Sequence, residues 1–157
     1  MKNHIAFLLS VLIWGAATMN IFAQESKSEA EKEVVAVIQQ LFDGMRAADS
    51  TAVGKTFHPD ARMQTVVAKE GTIKLHTGSV EKFLTAIGTP HEEIYNEVIH
   101  DYDVRIDGEL ASVWTPYTFK LGENISHCGV NAFQLVKLDG KWLILQVTDT
   151  RHKENCQ

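Results

Sequence analysis

Two cysteines and three prolines are all that the 157 residues hold. The cysteines do not form a C-x-x-C pair, so no ready-made zinc or redox motif is present. No glycine-rich phosphate loop and no G-x-S-x-G elbow occurs. Seven histidines are scattered without HxH or HxxxH spacing, so neither a metal nor a cofactor is expected. Lysine and arginine number 15 against 20 aspartates and glutamates, and no basic stretch interrupts that balance. Nucleic acid is therefore excluded as a natural partner. Internal repeats are lacking. Beyond residue 23 no run is apolar enough to cross a bilayer.

The long apolar run that does exist stands at the start. Met1-Lys2-Asn3-His4 is short and weakly positive, Ile5 to Met19 is apolar, and Ala23 supplies a small residue before Gln24. This is the layout of a secretory signal peptide over residues 1–23, with cleavage near Ala23. An uncleaved anchor is the rival, but the run is short for a span of ~20 residues. A secreted or periplasmic protein follows, with no membrane attachment after cleavage. Residues 24–30 read as a flexible leader and 31–157 as one domain, long enough for a real core. In an oxidising compartment Cys128 and Cys156 could pair. The alternative is a buried thiol at 128 and an exposed one on the tail; both stay open.

Val34, Val37, Ile38, Leu41, Phe42 and Met45 recur at helical spacing, predicting a helix over 29–48. Asp49 and Ser50 are N-cap types for a short second helix through Thr56. Phe57-His58-Pro59-Asp60-Ala61 reads as a loop, since proline holds His58 extended. Strands over 62–68 and 72–77 flank a turn at Glu70-Gly71. Gly78-Ser79 opens a third helix with Val80, Phe83, Leu84 and Ile87, stopped by Gly88 and Pro90. Four strands follow, over 95–106, 110–121, 125–138 and 141–151. Early helices and a late meander define an α+β domain, a bent antiparallel sheet with helices on one face.

Turn chemistry then predicts the register. Asp139-Gly140 is the strongest hairpin signal, because a type I′ turn needs positive φ at both central residues. It pairs Leu138 with Lys141, and by extension Phe133 with Gln146, Asn131 with Thr148 and Cys128 with Arg151. A three-residue loop at Gly122-Glu123-Asn124 pairs Phe119 with His127 and Thr115 with Asn131. A turn at Asp107-Gly108 pairs Ile106 with Glu109, hence His100 with Thr115. Alternation then gathers His100, Tyr102, Thr115, Tyr117, His127, Asn131, Phe133 and Thr148 on one face. That face is apolar at its lower end and polar at its upper end, the usual form of a small-molecule pocket. The other face carries Trp114, Val130, Ala132, Val136, Leu143, Leu145 and Val147. An uncovered face this apolar predicts a homodimer through the sheet; the rival is a monomer whose tail, His152 to Gln157, folds back over this face and links Cys156 to Cys128.

Phe42-Asp43-Gly44-Met45, Phe57-His58-Pro59-Asp60-Ala61 and Asp139-Gly140-Lys141-Trp142-Leu143-Ile144 resemble the NTF2-like (SnoaL-like) superfamily, in its putative lumazine-binding branch. The resemblance spans nearly all of the chain after the leader. It implies a cone with three N-terminal helices on the concave face, a pocket between helices and sheet, and frequent dimers through the outer face. Relatives include cyclases, isomerases, dehydratases and plain binding domains, so the fold does not choose the chemistry.

Two functions are compatible with this face. The first is a small-molecule-binding domain, with Tyr102, Thr115, Asn131, Phe133, Thr148 and the loop carboxylate of Asp60 contacting the ligand. The second is an isomerase, dehydratase or cyclase, with His100 or His127 as base and Tyr117 as the donor to an enolate-like oxygen. Asp101, Asp103, Asp149 and Arg151 fall on the outer face in this register. Asp60 also has a plainer reading, as a turn cap.

Overall fold

The computed structural model describes residues 29–69 and 71–157. The expected signal peptide, residues 1–23, and most of the expected leader lie outside the described residues. Helix α1 occupies 29–46, α2 is Ser50–Gly54 and α3 is Val80–Gly88. The strands are β1 Phe57–Lys69, β2 Thr72–Gly78, β3 Tyr95–Ile99, β4 Asp103–Asp107, β5 Leu110–Leu121, β6 Asn124–Leu138 and β7 Lys141–Arg151. They form one sheet in the order β2-β1-β7-β6-β5-β3, with β4 continuing beside β5. The sheet is not wholly antiparallel as the meander suggested: β1 runs parallel to β7.

Local chemistry sets the helix ends. Asp49 accepts the amide of Ala52 at 2.9 Å, and Ser79 accepts that of Lys82 at 3.1 Å; each satisfies a donor that the first turn leaves open. Phe57 does not end in a loop. It pairs with Ile144, the ladder breaks through His58–Ala61, and it resumes at Arg62. The core joins Val34, Ile38, Leu41, Phe42 and Met45 of α1 to Val113, Phe133, Leu135, Trp142 and Ile144 of the sheet. Phe42 meets Phe133 edge-on at 6.3 Å. At the far end Glu33 accepts from Lys137 at 2.6 Å and from the Trp142 indole at 3.2 Å.

Three irregularities decide which residues face inward. Asp139 and Gly140 take positive φ, 49° and 77°, and Leu138 pairs with Lys141 as the turn chemistry requires. After Leu135–Ile144, β7 then carries an extra residue, and Gln134 pairs with Gln146. Asn131 therefore faces Asp149 rather than Thr148. Val147 turns inward and is 7% exposed, so it leaves the outer face assigned to it.

The second irregularity compensates for a wrong loop length. The turn before β6 has two residues, Gly122 and Glu123, since Leu121 pairs with Asn124. A bulge past Ile125 restores the register, and Phe119 pairs with His127 and Thr115 with Asn131. The third irregularity splits the predicted long strand. β4 pairs Val104 with Val113, β3 pairs Ile99 with Tyr117, and the two ladders are out of step by one residue. Asp101 accepts the amide of Tyr102 at 2.8 Å in the break. Tyr95, Glu97 and Ile99 thereby share the side of Tyr117 and Phe119, and His100 is carried to the opposite side.

The C-terminal tail folds back across that opposite side. Cys128 and Cys156 form a disulfide, and Cys128 and His152 exchange backbone hydrogen bonds at 2.9 Å. Thr118, 1% exposed, donates to the Gln157 carbonyl at 3.0 Å, and His100 Nε2 lies 2.9 Å from the same hydroxyl.

Candidate functional site

A cavity of about 300 Å³ opens between α1, α3, β1 and the inner side of the sheet. Its apolar wall is built by Leu41, Phe42 and Met45 of α1, Phe57 and Met63 of β1, Phe83 of α3, and Phe133 and Val147. Its polar end collects Glu97, Tyr117, His127, Asn131, Asp149 and Arg151, with Thr65 beside them and Lys82 on the exposed side. Apolar walls with a few convergent polar groups are what a ligand pocket requires.

The polar end contains two hydrogen-bonded groups of residues. Asp149, 9% exposed, accepts from Thr65 at 2.6 Å and from Arg151 Nε at 2.6 Å. The Tyr117 hydroxyl lies 3.3 Å from the same carboxylate and 3.0 Å from the Thr150 carbonyl, to which it donates. The second group is smaller: Asn131 Nδ2 donates to Glu97 Oε1 at 2.7 Å. Among the described residues Glu97 makes no direct ion pair.

Burial governs the ionisation of these groups. It lifts Glu97 from 4.5 to about 7; the bond from Asn131 and the Arg151 charge oppose the rise, and the Asp149 charge adds to it. Burial also raises the Tyr117 phenol, with Asp149 and Glu97 contributing. It lowers His127, with Arg151 next in effect. Burial works against the charge on Arg151, yet the bond to Asp149 and the charges of Asp149, Tyr117 and Glu97 together outweigh it and the guanidinium pKa rises.

Of the residues expected on this face, Tyr117, His127, Asn131 and Phe133 line the cavity. The others do not. His100 sits on the far side with Thr118, so the proposed pair of imidazoles is never assembled. Tyr102 is half-buried beside α1, with Gln39 bonded to its phenol. Thr115 is fully buried, and its hydroxyl has no hydrogen-bond partner among the described residues. Thr148 faces outward and accepts from Gln146 at 3.2 Å. Asp60 is exposed, with its amide donating to His58 Nδ1 at 3.1 Å in the break of β1.

Glu97, Asp149 and Arg151 were missed as pocket residues. A signal existed for Glu97: His-Asp-Tyr-Asp at 100–103 places two poor strand formers mid-strand, where a break flips the alternation. For Asp149 there was none, because Leu143-Ile144-Leu145-Gln146-Val147 looks apolar on either parity.

Glu97 also gives a pH prediction. Its folded-state value is raised, so ionisation costs stability, which falls as pH climbs from about 4.5 to about 7. Glu97→Gln keeps an acceptor for Asn131 and removes that cost. The variant is expected to be more stable than wild type at pH 8 by the order of 2 kcal/mol, and no more stable at pH 4.5. Thermal melts across that range check it; a pH-independent difference would contradict the burial of this carboxyl.

Three helices and a bent seven-stranded sheet enclosing such a cavity define an NTF2-like α+β protein. Residues 29–148 match the family described as "Putative lumazine-binding", and the chain belongs to that family. Solved structures agree on the fold. An NTF2-like protein of unknown function from Shewanella baltica OS155 aligns with a TM-score of 0.64 at 20% identity, covering 81% of this chain and 97% of that one. An NTF2-like protein with a cystatin-like fold from Novosphingobium aromaticivorans gives 0.67 at 11%, covering 88% and 92%. A "Putative Scytalone Dehydratase" from the same organism gives 0.65 at 13%, covering 82% and 88%. No curated protein sequence matches the chain.

Proposed function

We propose that this protein is exported and binds a small organic molecule in the cavity beneath α1 and α3. The observation that carries the reading is the division of that cavity into an aromatic wall and a polar end holding Glu97. Export is supported by the apolar N-terminal run and by the Cys128–Cys156 bridge, which suits an oxidising compartment. A thermal-shift screen against a metabolite library tests the pocket, with lumazine, named in the family description, among its members. The expected result is stabilisation by a restricted set of ring compounds; stabilisation by none sinks the reading. N-terminal sequencing of the protein recovered outside the cytoplasm should begin at Gln24.

One observation favours a second reading, proton transfer. A carboxyl lifted to about 7 is poised as a general base near neutral pH. In that reading Glu97 replaces the histidine pair, His127 is the neutral second group, and Tyr117 lies alongside. One structural relative is named for a dehydratase, which keeps the class in view. Carbonyl compounds found in the screen should then exchange α-protons with D₂O, and Glu97→Gln should stop the exchange.

For assembly we propose a homodimer through the outer face, in a corrected composition. Trp114 is 54% exposed there, beside its pair partner Ala132. The face runs on through Val66 to Leu75, 59% exposed, and to Ile73, 75% exposed. Pairing two such faces buries both copies at ~25 cal/mol per Å². Trp114→Glu is expected to convert a dimer mass to a monomer mass in light scattering; a wild-type monomer at micromolar concentration refutes the proposal. Val147→Glu, which faces inward, would instead unfold the domain.

A further inference from the structure

The inner end of the cavity holds a buried carboxyl, Glu97, that makes no direct ion pair among the described residues. Asp149 is matched by Arg151 and Thr65. The Tyr117 proton is taken by the Thr150 carbonyl. Asn131 gives an N–H to Glu97, which leaves its own carbonyl oxygen and the second Glu97 oxygen as acceptors. His127 is held toward its neutral form, one ring nitrogen an acceptor and the other a donor, with Nδ1 3.1 Å from the Ser126 hydroxyl. The cations on the neighbouring elements are engaged elsewhere or exposed to water: on β7, Arg151 pairs with Asp149 and reaches Glu97 only through its charge. On α1, Arg46 is bound to Asn96 and Asp43. On α3, Lys82 is exposed, where water screens it. What keeps Glu97 uncharged is its burial, which outweighs the Asn131 bond and the Arg151 charge.

We propose that the cavity selects a monocationic amine with an apolar or aromatic body, its ammonium seated on Glu97. This rests on the pocket reading above and names the ligand class. An ammonium brings a unit charge and up to three donors to a carboxyl with one oxygen left unbonded. The body lies among Phe42, Phe57, Phe83 and Phe133, which take it out of water. Binding couples to the proton on Glu97. Below about pH 7 that proton must leave before the ammonium can pair, so amine affinity rises with pH while the amine itself stays protonated. A ligand carbonyl accepting from protonated Glu97 would show the opposite dependence.

Three probes of similar size separate the outcomes: 2-phenylethylamine, 2-phenylethanol and 3-phenylpropanoate, titrated calorimetrically into the full domain at pH 5.5 and 8. The amine is expected to bind best, about thirtyfold more tightly at pH 8 than at 5.5. Glu97→Gln, which should remain folded, is expected to abolish that preference and its pH dependence. If the alcohol or the carboxylate binds as tightly as the amine, or Glu97→Gln leaves the amine unaffected, the ligand class is overturned and the pocket stands. Binding by none of the three overturns the ligand class; the pocket itself then falls only if the metabolite screen is also empty.

Discussion

Gly129→Ala is expected to be the most damaging single-methyl change in the described domain. A Cβ built there would lie 1.9 Å from the Thr150 carbonyl oxygen and 2.8 Å from its carbon. These are backbone atoms, and three contacts prevent their retreat. The Thr150 carbonyl holds the Tyr117 hydroxyl at 3.0 Å. The Thr150 hydroxyl accepts the Val130 amide at 3.1 Å. One step along, Cys128 and His152 are locked by two hydrogen bonds. A flexible side chain would swing aside; this strand end has nowhere to go. We expect a loss of about 3 kcal/mol or more, beyond ordinary overpacking, and a fall of about 10 °C or more in Tm. Tyr117 and Asp149 would be displaced with the strand, so ligand binding should fail before the fold does. An unchanged melting temperature would show that Gly129 does not meet Thr150.

That same strand end shows where sequence reading reached its limit. Capping was legible: Asp49, Ser79 and Asp139-Gly140 each satisfy a local backbone demand that only a few residue types can meet. Such demands act within three or four residues, so the chemistry is written beside the structure it causes. The inward set was legible only where alternation ran unbroken, as from Phe119 to Thr115 and from His127 to Phe133. Even there the loop length was wrong, and the bulge past Ile125 cancelled the error. A bulge moves every later residue to the other face while leaving composition untouched. In β7 the extra residue falls within an apolar run, where both parities look alike. Asp149 and Arg151 were therefore misplaced to the surface, and Thr148 to the pocket. Between β3 and β4 the slip exchanged His100 for Glu97. The half-apolar, half-polar character of the face survived these slips, but the residues that define its charge did not.

Removing the disulfide should produce the other large effect. Cys128 and Cys156 are 28 residues apart in sequence, and the bridge closes the β6–β7 hairpin onto the tail. Cross-linking a loop of that size restricts the unfolded chain by about 3 to 4 kcal/mol in the chain-entropy account. In the folded state Cys128 is 4% exposed, and the tail it anchors also covers Thr118. Cys156→Ser is expected to cost about 3 kcal/mol, and Cys128→Ser somewhat more, because it also places a hydroxyl at a buried site. The double variant should cost little beyond Cys128→Ser alone, since one bond cannot be lost twice. Reduced wild type should melt with Cys156→Ser, and reductant should leave that variant unchanged. The bridge lies five residues beyond Arg151, so losing it should also loosen the Arg151–Asp149 pair and weaken any ligand seated there. Two reactive thiols in the denatured, unreduced protein would refute the bridge and this prediction with it.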